Sequence, residues 1–257
     1  MATTRRSKSP AKPRRAAELQ GTVAERVAIA LAELERAGNP KTLADYGPRY
    51  GIATTKAFGV PMGRIHALAK RLGRDHALAH ALWKTGWYEA RLLTAFVAEK
   101  ERVTPAEMDR WTRGFDNWAV CDTLCFHLFD RTPHAFGRVA AWAKRSKEFE
   151  KRAAFALLAS LALHDKETDD APFLRCLPLA ERAAADERNF VKKSVSWALR
   201  GMGTRSRALH AACTALAERL AESDTTPERW IGKDVLRDLN RPLVKQRAEK
   251  RERRRGA

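Results

Sequence analysis

The stretch from Thr104 to Asp122, TPAEMDRWTRGFDNWAVCD, contains two helix starts close together. Thr104 is followed three residues later by Glu107, which makes a capping box, and the proline between them suits a first helical position. A second start follows at the Asp-Asn dipeptide just before Trp118, because both residue types are good N-caps. The stretch therefore predicts one short helix, a turn and a further helix.

Similar helix start and stop signals occur along the rest of the chain. Pro61 suits the start of a helix over residues 62–72, which Gly73 ends. Ala, Leu, Arg, Lys and Glu dominate the interior, and all of them are good helix formers. No segment shows strand alternation bounded by turn signals. The predicted helices have about 10–17 residues and short connections, a pattern typical of antiparallel helix pairs.

These features predict an all-α protein built as an α-solenoid of HEAT-like antiparallel helix pairs. A strict repeat is not obvious, but the recurring aromatic and arginine positions are compatible with degenerate repeats. Such a stack curves, and we expect a concave basic groove that suits a long ligand. A compact helical bundle is the alternative. We assign the helical domain to residues 21–240, with a basic disordered arm at 1–20 and a basic disordered tail at 241–257.

The chain is strongly basic, with a formal net charge of +18. Residues 1–20 hold six Lys/Arg and one Glu, and residues 241–257 hold eight Lys/Arg and two Glu. Both ends lack apolar periodicity, so we expect them to be flexible. Basic arms of this kind add sequence-independent, salt-sensitive attraction to phosphate. The alternative is that these ends serve only solubility.

Several functional classes are disfavoured. No apolar run is long enough to span a membrane, and no secretory signal segment opens the chain. We therefore expect no membrane partner and a cytoplasmic, nucleoid-associated protein. Cys121 and Cys125 share one predicted helix, while Cys176 and Cys213 lie far apart. With no CxxC pair, we predict reduced, packed thiols rather than a zinc site or a disulfide framework.

His76 and His80 lie four residues apart on a predicted helix. No glutamate follows His76, so the metalloprotease pattern is absent. We interpret both as ordinary helix residues, and we predict neither a metal ion nor a cofactor.

Trp118 and Asp122 lie four residues apart, which stacks them on one helix face. Arg152 and Trp197 follow on later helices. A carboxylate beside DNA is unexpected unless the target is cationic, as a purine alkylated at N3 or N7 is. Cleavage of its glycosidic bond places positive charge on the sugar, which Asp122 would stabilise. The two indoles would pack on the sugar, and Arg152 would hold a flanking phosphate.

Each of these residues also has a structural interpretation. A Trp and an Asp four residues apart occur often by chance, and a lone tryptophan is commonly a core residue. Trp118 would then pack in the interior, and Asp122 would be a surface ion-pair partner. The spacing alone leaves both interpretations open.

At these residues the chain resembles the DNA alkylation repair family, the AlkD-like DNA glycosylases built from HEAT-like repeats. The similar segments occur in the family order and together cover roughly residues 20–240. They are Phe58–Met62, Ala81–Lys84 with Tyr88–Arg91, Asp116–Asp122, Lys151–Phe155 and Phe190–Arg200.

The resemblance implies a monofunctional glycosylase that removes cationic N3- and N7-alkylated purines from duplex DNA. The family's tryptophan–aspartate pair falls on Trp118 and Asp122, its groove arginine on Arg152 and its second groove tryptophan on Trp197. The family grips the sugar-phosphate backbone instead of flipping the base. The resemblance therefore implies no enclosed base pocket, no lyase lysine and tolerance of bulky adducts.

Neighbouring cations in the similar segments are predicted to contact the DNA backbone: Lys151, Lys192, Lys193 and Arg200. The expected partner is duplex DNA with alkylated bases, bound by a monomer. Some members of the family bind DNA without excising bases, so a non-catalytic binder of damaged or branched DNA is the main alternative. A protein–protein adaptor is the third, because helical solenoids often bind proteins.

Overall fold

The computed structural model describes residues 20–255, and within that range it contains fifteen α-helices, two short 3₁₀ turns and no β-strand. The all-α prediction is therefore confirmed. Numbered in chain order, the helices are α1 Val23–Arg36, α2 Pro40–Tyr50, α3 Met62–Leu72, α4 His76–Lys84, α5 Tyr88–Val97, α6 Pro105–Arg113, α7 Trp118–His127, α8 Ala135–Trp142, α9 Glu148–His164, α10 Asp170–Leu174, α11 Leu177–Ala184, α12 Asn189–Met202, α13 Arg207–Ala221, α14 Thr226–Leu239 and α15 Pro242–Arg255.

Polar caps begin the helices where the sequence predicts them. At α6 the Thr104 hydroxyl accepts a hydrogen bond from the Glu107 amide at 3.3 Å, and the Glu107 carboxylate accepts one from the Thr104 amide at 2.8 Å. Asn117 caps α7 by accepting a hydrogen bond from the Val120 amide at 3.0 Å. Asp75 caps α4 in the same way. These bonds satisfy amides that a helix start would otherwise leave without partners.

The helices are arranged in antiparallel pairs. Helices α3, α5, α7, α9, α12 and α14 pack side by side in succession and form the first layer. Each of α4, α8, α11 and α13 packs against the first-layer helix that follows it in the chain. Helix α9 is at the centre, and its residues Ala153–Ala162 are all buried. Its many alanines allow α7, α8 and α12 to approach closely. This is the predicted HEAT-like arrangement.

A buried carboxylate fixes the loop between α2 and α3. Glu89, in the first turn of α5, is fully buried. Its Oε1 atom accepts hydrogen bonds from the amides of Phe58, Gly59 and Val60 at 3.0, 2.8 and 3.2 Å. Gly59 has a φ of +77°, and a Cβ there would lie 2.5 Å from the carbonyl oxygen of the α2 N-cap, so only glycine fits. Glu89 thereby holds α2 and its loop against the first layer.

The C-terminal region departs from the sequence prediction. Residues 241–257 were expected to form a disordered tail, whereas Pro242–Arg255 forms α15. Val244 and Ala248, four residues apart, give this highly charged helix a buried face near α13 and α14. Its two small apolar residues are too few to reveal the helix in the sequence. The predicted N-terminal arm, apart from residue 20, lies outside the described residues.

None of the described helices combines the length and the apolar composition needed to cross a membrane.

Candidate nucleic-acid interface

One face of α7 carries the residues that the sequence singled out. Trp118 and Asp122 lie on this face, and Phe126 continues it by another four residues. Trp118 and Phe126 are half-buried, and both retain surface that a ligand can reach. The opposite face anchors the helix in the core through buried residues of small or medium size: Val120, Cys121, Leu124 and Cys125.

The indole of Trp118 is bound to the end of α2. Its Nε1 donates a hydrogen bond to the carbonyl oxygen of Tyr50 at 2.8 Å. Tyr50 is the last residue of α2, and Gly51 ends the helix with a φ of +62°. The contact spans 68 residues of sequence, so it depends on the loop that Glu89 holds in place. The edge of the indole is therefore fixed by the fold.

Asp122 and Arg152 form a two-pronged ion pair between α7 and α9. Arg152 Nε lies 2.9 Å from Asp122 Oδ1, and Arg152 Nη2 lies 2.6 Å from Asp122 Oδ2. Arg152 Nη1 donates a third hydrogen bond to the carbonyl oxygen of Phe190 at 2.8 Å. Burial raises the pKa of Asp122, and the Arg152 guanidinium opposes that shift. The planar fork matches a carboxylate in both distance and orientation.

Arg152 is thus committed to protein partners in the free protein. Only 7% of the residue is exposed, and three of its nitrogens donate hydrogen bonds to Asp122 or Phe190. Burial opposes the charge of Arg152, but the adjacent Asp122 carboxylate outweighs it and raises the pKa of the guanidinium. The sequence predicted that this arginine binds a phosphate, whereas in the structure it is paired with the Asp122 carboxylate.

Trp197, on α12, packs against the α7 face at Phe126, one turn beyond Asp122. Its ring stacks on Phe126, with centroids 5.7 Å apart and planes inclined by 19°. The structure thereby brings Trp118, Asp122, Arg152 and Trp197 into one continuous region of the first layer. Sequence reasoning missed Phe126, although the continued spacing of four residues from Trp118 was a signal for it.

The four predicted backbone-contacting cations differ in their surroundings. Lys151 pairs with Asp186 at 2.9 Å, and Arg200 Nε lies 3.6 Å from a carboxylate oxygen of Asp234. Lys151 and Arg200 are therefore each paired with an acidic residue in the free protein. The other two residues lie on α12: the Lys192 ammonium is 4.9 Å from the centre of the Trp230 ring, whereas Lys193 is exposed and four residues before Trp197.

An apolar cavity of about 280 Å³ lies between α2, α3, α5 and α7, beside the Trp118–Asp122 face. Burial and the nearby Glu89 carboxylate raise the pKa values of Tyr46 and Tyr88, so these phenols stay neutral. The resemblance implies no enclosed base pocket, and sequence reasoning did not foresee a cavity here. Its lining is mainly aromatic and aliphatic and includes Thr42, Tyr46, Tyr50, Ile52, Val60, Pro61, Met62, Tyr88, Leu92, Trp118, Ala119, Asp122 and Thr123.

Beyond Phe126 the first layer carries a row of rings. The His66 ring packs on Phe96 at 4.7 Å, Phe96 on His127 at 4.8 Å, and Phe126 on His164 at 4.5 Å. Burial, together with the nearby His66 ring, lowers the pKa of His127. A cavity of about 630 Å³ adjoins His127. Two of its four lining cations, Lys100 and Arg102, pair with the lining carboxylates of Glu101 and Glu99. The other two lining cations are Arg74 and Arg131.

Comparisons with known proteins agree with this architecture. A solved structure described as "a new family of proteins related to the HEAT-like repeat DNA glycosylases with affinity for branched DNA structures" superimposes with a TM-score of 0.68. It is 18% identical, and the match covers 82% of this chain and 94% of that one, which shows a shared fold. Among curated proteins no sequence match is found. The profile of the DNA alkylation repair enzyme family matches residues 30–218. The chain therefore belongs to the DNA alkylation repair enzyme family.

Proposed function

We propose that this protein is a monofunctional DNA glycosylase that hydrolyses the glycosidic bond of cationic N3- and N7-alkylated purines in duplex DNA. The observation that carries the proposal is Asp122: a mostly buried carboxylate, on one helix face with Trp118 and held by the fork of Arg152. The carboxylate is fixed before the substrate arrives, which is what electrostatic catalysis requires. Membership of a DNA alkylation repair family supports the same reaction.

The chemistry follows from the charge of the lesion. When the bond between C1′ and the purine nitrogen breaks, its electron pair stays with the base and neutralises the alkylated ring. Positive charge then develops on the deoxyribose, as in other glycoside hydrolyses. Asp122 stabilises that charge and orients a water molecule, which adds to C1′ and gives up its proton to bulk water. No covalent intermediate and no lyase lysine are required.

Arg152 has a positioning role in this scheme. In the free protein its charge balances Asp122, so an unpaired carboxylate is not left in a buried place. When the DNA backbone lies against α9, a phosphate competes for the guanidinium and the Asp122 charge becomes directed at the sugar. The same exchange reconciles the expected phosphate contact with the ion pair seen here.

The two tryptophans would flank the reacting sugar. Trp118 is fixed by its hydrogen bond to Tyr50, and Trp197 by its stacking on Phe126. Indole faces attract a developing cation, with an energy of about 1–2 kcal/mol when desolvated. Exposed Lys193 lies on the Trp197 side of α12, where it would contact the adjacent backbone.

A non-catalytic binder of damaged or branched DNA is the second candidate. The observation that favours it is the neutralisation of Asp122 by Arg152, which leaves less charge for a sugar cation. The structural neighbour, described as having affinity for branched DNA structures, supports a binding role for this fold. The two candidates share a surface and differ in whether a base is released.

A single-turnover assay on a duplex with one N7-methylguanine separates them. Wild-type protein is expected to release 7-methylguanine faster than the spontaneous rate. Asp122→Asn should lower that rate by about 10²–10³-fold, as loss of one preorganised electrostatic group does. DNA binding by this variant should persist or tighten, because a negative charge near phosphate is removed.

Glu181→Gln is the matched control, since it also converts a carboxylate to an amide but lies on α11, outside the first layer, and is paired with Arg219. It should excise at the wild-type rate. Salt-sensitive binding without release of either 7-methylguanine or an N3-alkyladenine would contradict the glycosylase proposal and support the binder.

A further inference from the structure

Two histidines and a carboxylate converge between α4 and α6, away from the α7 face. His76 Nε2 lies 3.0 Å from Glu107 Oε1, and His80 Nε2 lies 2.7 Å from the same oxygen. The three candidate ligand atoms all lie within 4.8 Å of one another. The spacing of the two histidines is visible in the sequence, but their carboxylate partner is not, because it comes from a helix about 30 residues further along the chain.

The carboxylate is oriented independently of the histidines. Glu107 is the third residue of α6 and closes its capping box, and its Oε2 accepts hydrogen bonds from the Thr104 amide at 2.8 Å and the Thr104 hydroxyl at 2.9 Å. These bonds leave Oε1 directed at α4. One oxygen therefore serves the helix cap, while the other is preorganised as a ligand.

The two imidazoles are presented together by helical spacing. His76 and His80 are four residues apart on one face of α4, and their rings meet edge to face with centroids 4.9 Å apart. The Trp111 ring packs against His80 at a centroid distance of 5.0 Å and forms an apolar floor. Without a metal ion each Nε2 donates to Glu107 Oε1, because a carboxylate oxygen only accepts. Metal binding at Nε2 moves the ring proton to Nδ1, which in His76 is buried and has no hydrogen-bond partner.

We propose that His76, His80 and Glu107 bind a divalent transition-metal ion, and that Zn²⁺ is the ion they suit best. Imidazole nitrogens and a carboxylate oxygen are normal zinc ligands, and three such ligands leave a fourth position for water. The His80 side chain is 22% exposed and that of Glu107 16%, which gives the ion and the water access from solvent. The harder ions Mg²⁺ and Ca²⁺ prefer all-oxygen sites.

The ion would link α4 directly to α6. α4 belongs to the pair with α5, and α6 precedes α7, which carries Trp118 and Asp122. The backbones of α4 and α6 make little direct contact, so side chains link them: this cluster, and the packing of Trp83 on Trp111 at a centroid distance of 6.3 Å. Because His76 Nδ1 lacks an acceptor, we expect binding about 10–100-fold weaker than that of a site with a complete second set of hydrogen bonds.

The test uses full-length protein freed of metal by a chelator and then titrated with Zn²⁺ against a chromophoric competitor. Wild-type protein should bind one equivalent, and its Tm should rise with zinc concentration. Co²⁺ in place of zinc should produce the visible absorption of four-coordinate cobalt. The four cysteines are buried in the described fold, which limits competition from thiols.

Three variants decide where the ion binds. Glu107→Gln keeps a residue type that capping boxes accept, so it should fold while losing the carboxylate ligand. Both Glu107→Gln and His80→Ala should abolish the cobalt absorption and the rise in Tm, while His134→Ala, a histidine outside the cluster, should retain both. Absence of stoichiometric binding would overturn the proposal and leave a purely hydrogen-bonded cluster. Equal zinc binding by wild type, Glu107→Gln and His80→Ala would overturn it as well.

Discussion

Asp122 is under two opposing influences in the folded protein. Burial raises the pKa of its carboxyl, while the fork of Arg152 stabilises the ionised form. Since the proposed reaction needs the carboxylate, its rate should fall as the pH falls through the pKa of Asp122. Arg152 is therefore expected to determine how far into the acid range the proposed reaction proceeds.

Arg152→Gln should shift the acid limb of the excision profile to higher pH. The substitution removes the cation that opposes the burial effect, so the pKa of Asp122 rises further and the carboxylate is lost earlier on acidification. Single-turnover rates, corrected for spontaneous depurination at each pH, provide the measurement. Carboxyl ¹³C NMR of Asp122 reports the same shift without depending on activity.

Arg152→Lys is the companion variant, because it keeps a positive charge and loses the two-pronged geometry. Its shift should be in the same direction and smaller. Arg152→Gln should also lower the free energy of unfolding by about 3–5 kcal/mol, as breaking a buried pair does. An acid limb that stays in place or moves to lower pH in Arg152→Gln would show that Arg152 does not control Asp122.

The site could be predicted from the sequence only in part. The shared face of Trp118 and Asp122 follows from a spacing of four residues on a helix whose N-cap is visible. The pairing of Asp122 with Arg152 does not, since it joins residues 30 positions apart on different helices. Phe126 was overlooked because a phenylalanine within an apolar helix is indistinguishable from a core residue by composition.

At the scale of elements, the Glu89 carboxylate holds the loop that joins α2 to α3, beside the candidate interface. Glu89 accepts hydrogen bonds from three successive loop amides and from the Tyr46 hydroxyl. The loop follows α2, whose last carbonyl binds the Trp118 indole. This arrangement explains why two separated segments, Phe58–Met62 and Tyr88–Arg91, both resemble the family: they are in contact.

Glu89→Ala should lower the free energy of unfolding by about 3 kcal/mol or more, because it leaves several buried amides without acceptors. Urea denaturation followed by tryptophan fluorescence provides the measurement. Glu35→Ala, an exposed glutamate on α1, is the control and should stay within about 0.5 kcal/mol of wild type. A loss below about 1 kcal/mol for Glu89→Ala would mean that water replaces the carboxylate in the loop.

Helix starts were the most predictable elements, and the reason is local. The capping boxes and N-caps at Thr104, Asn117 and Asp75 involve residues within one turn of each other. The path of the α2–α3 loop and the docking of α15 depend on distant partners instead. Neither Glu89 nor Val244 has a local pattern that reveals what it will contact.

At the scale of the whole molecule, the positive charge extends from the first layer onto α15. Lys245 and Arg247 are exposed on this helix, whose buried Val244 and Ala248 anchor it near α13 and α14. An anchored helix holds its cations at fixed positions relative to the first layer, whereas a flexible tail would spread them. Exposed cations add affinity by releasing counterions from DNA, without distinguishing one sequence from another.

The double variant Lys245→Gln/Arg247→Gln should therefore weaken binding to undamaged and alkylated duplexes equally. If both residues contact phosphate, the slope of log affinity against log salt should become less negative by about 1.8, since each contact contributes about 0.9. The excision rate at saturating protein should not change, because Asp122 and Arg152 are untouched.

Arg175→Gln/Arg182→Gln, two exposed arginines near and on α11, is the control with an equal charge loss and should keep the wild-type slope. An unchanged slope in the α15 variant would place the DNA path away from this helix, whereas a loss confined to alkylated DNA would make α15 part of lesion recognition.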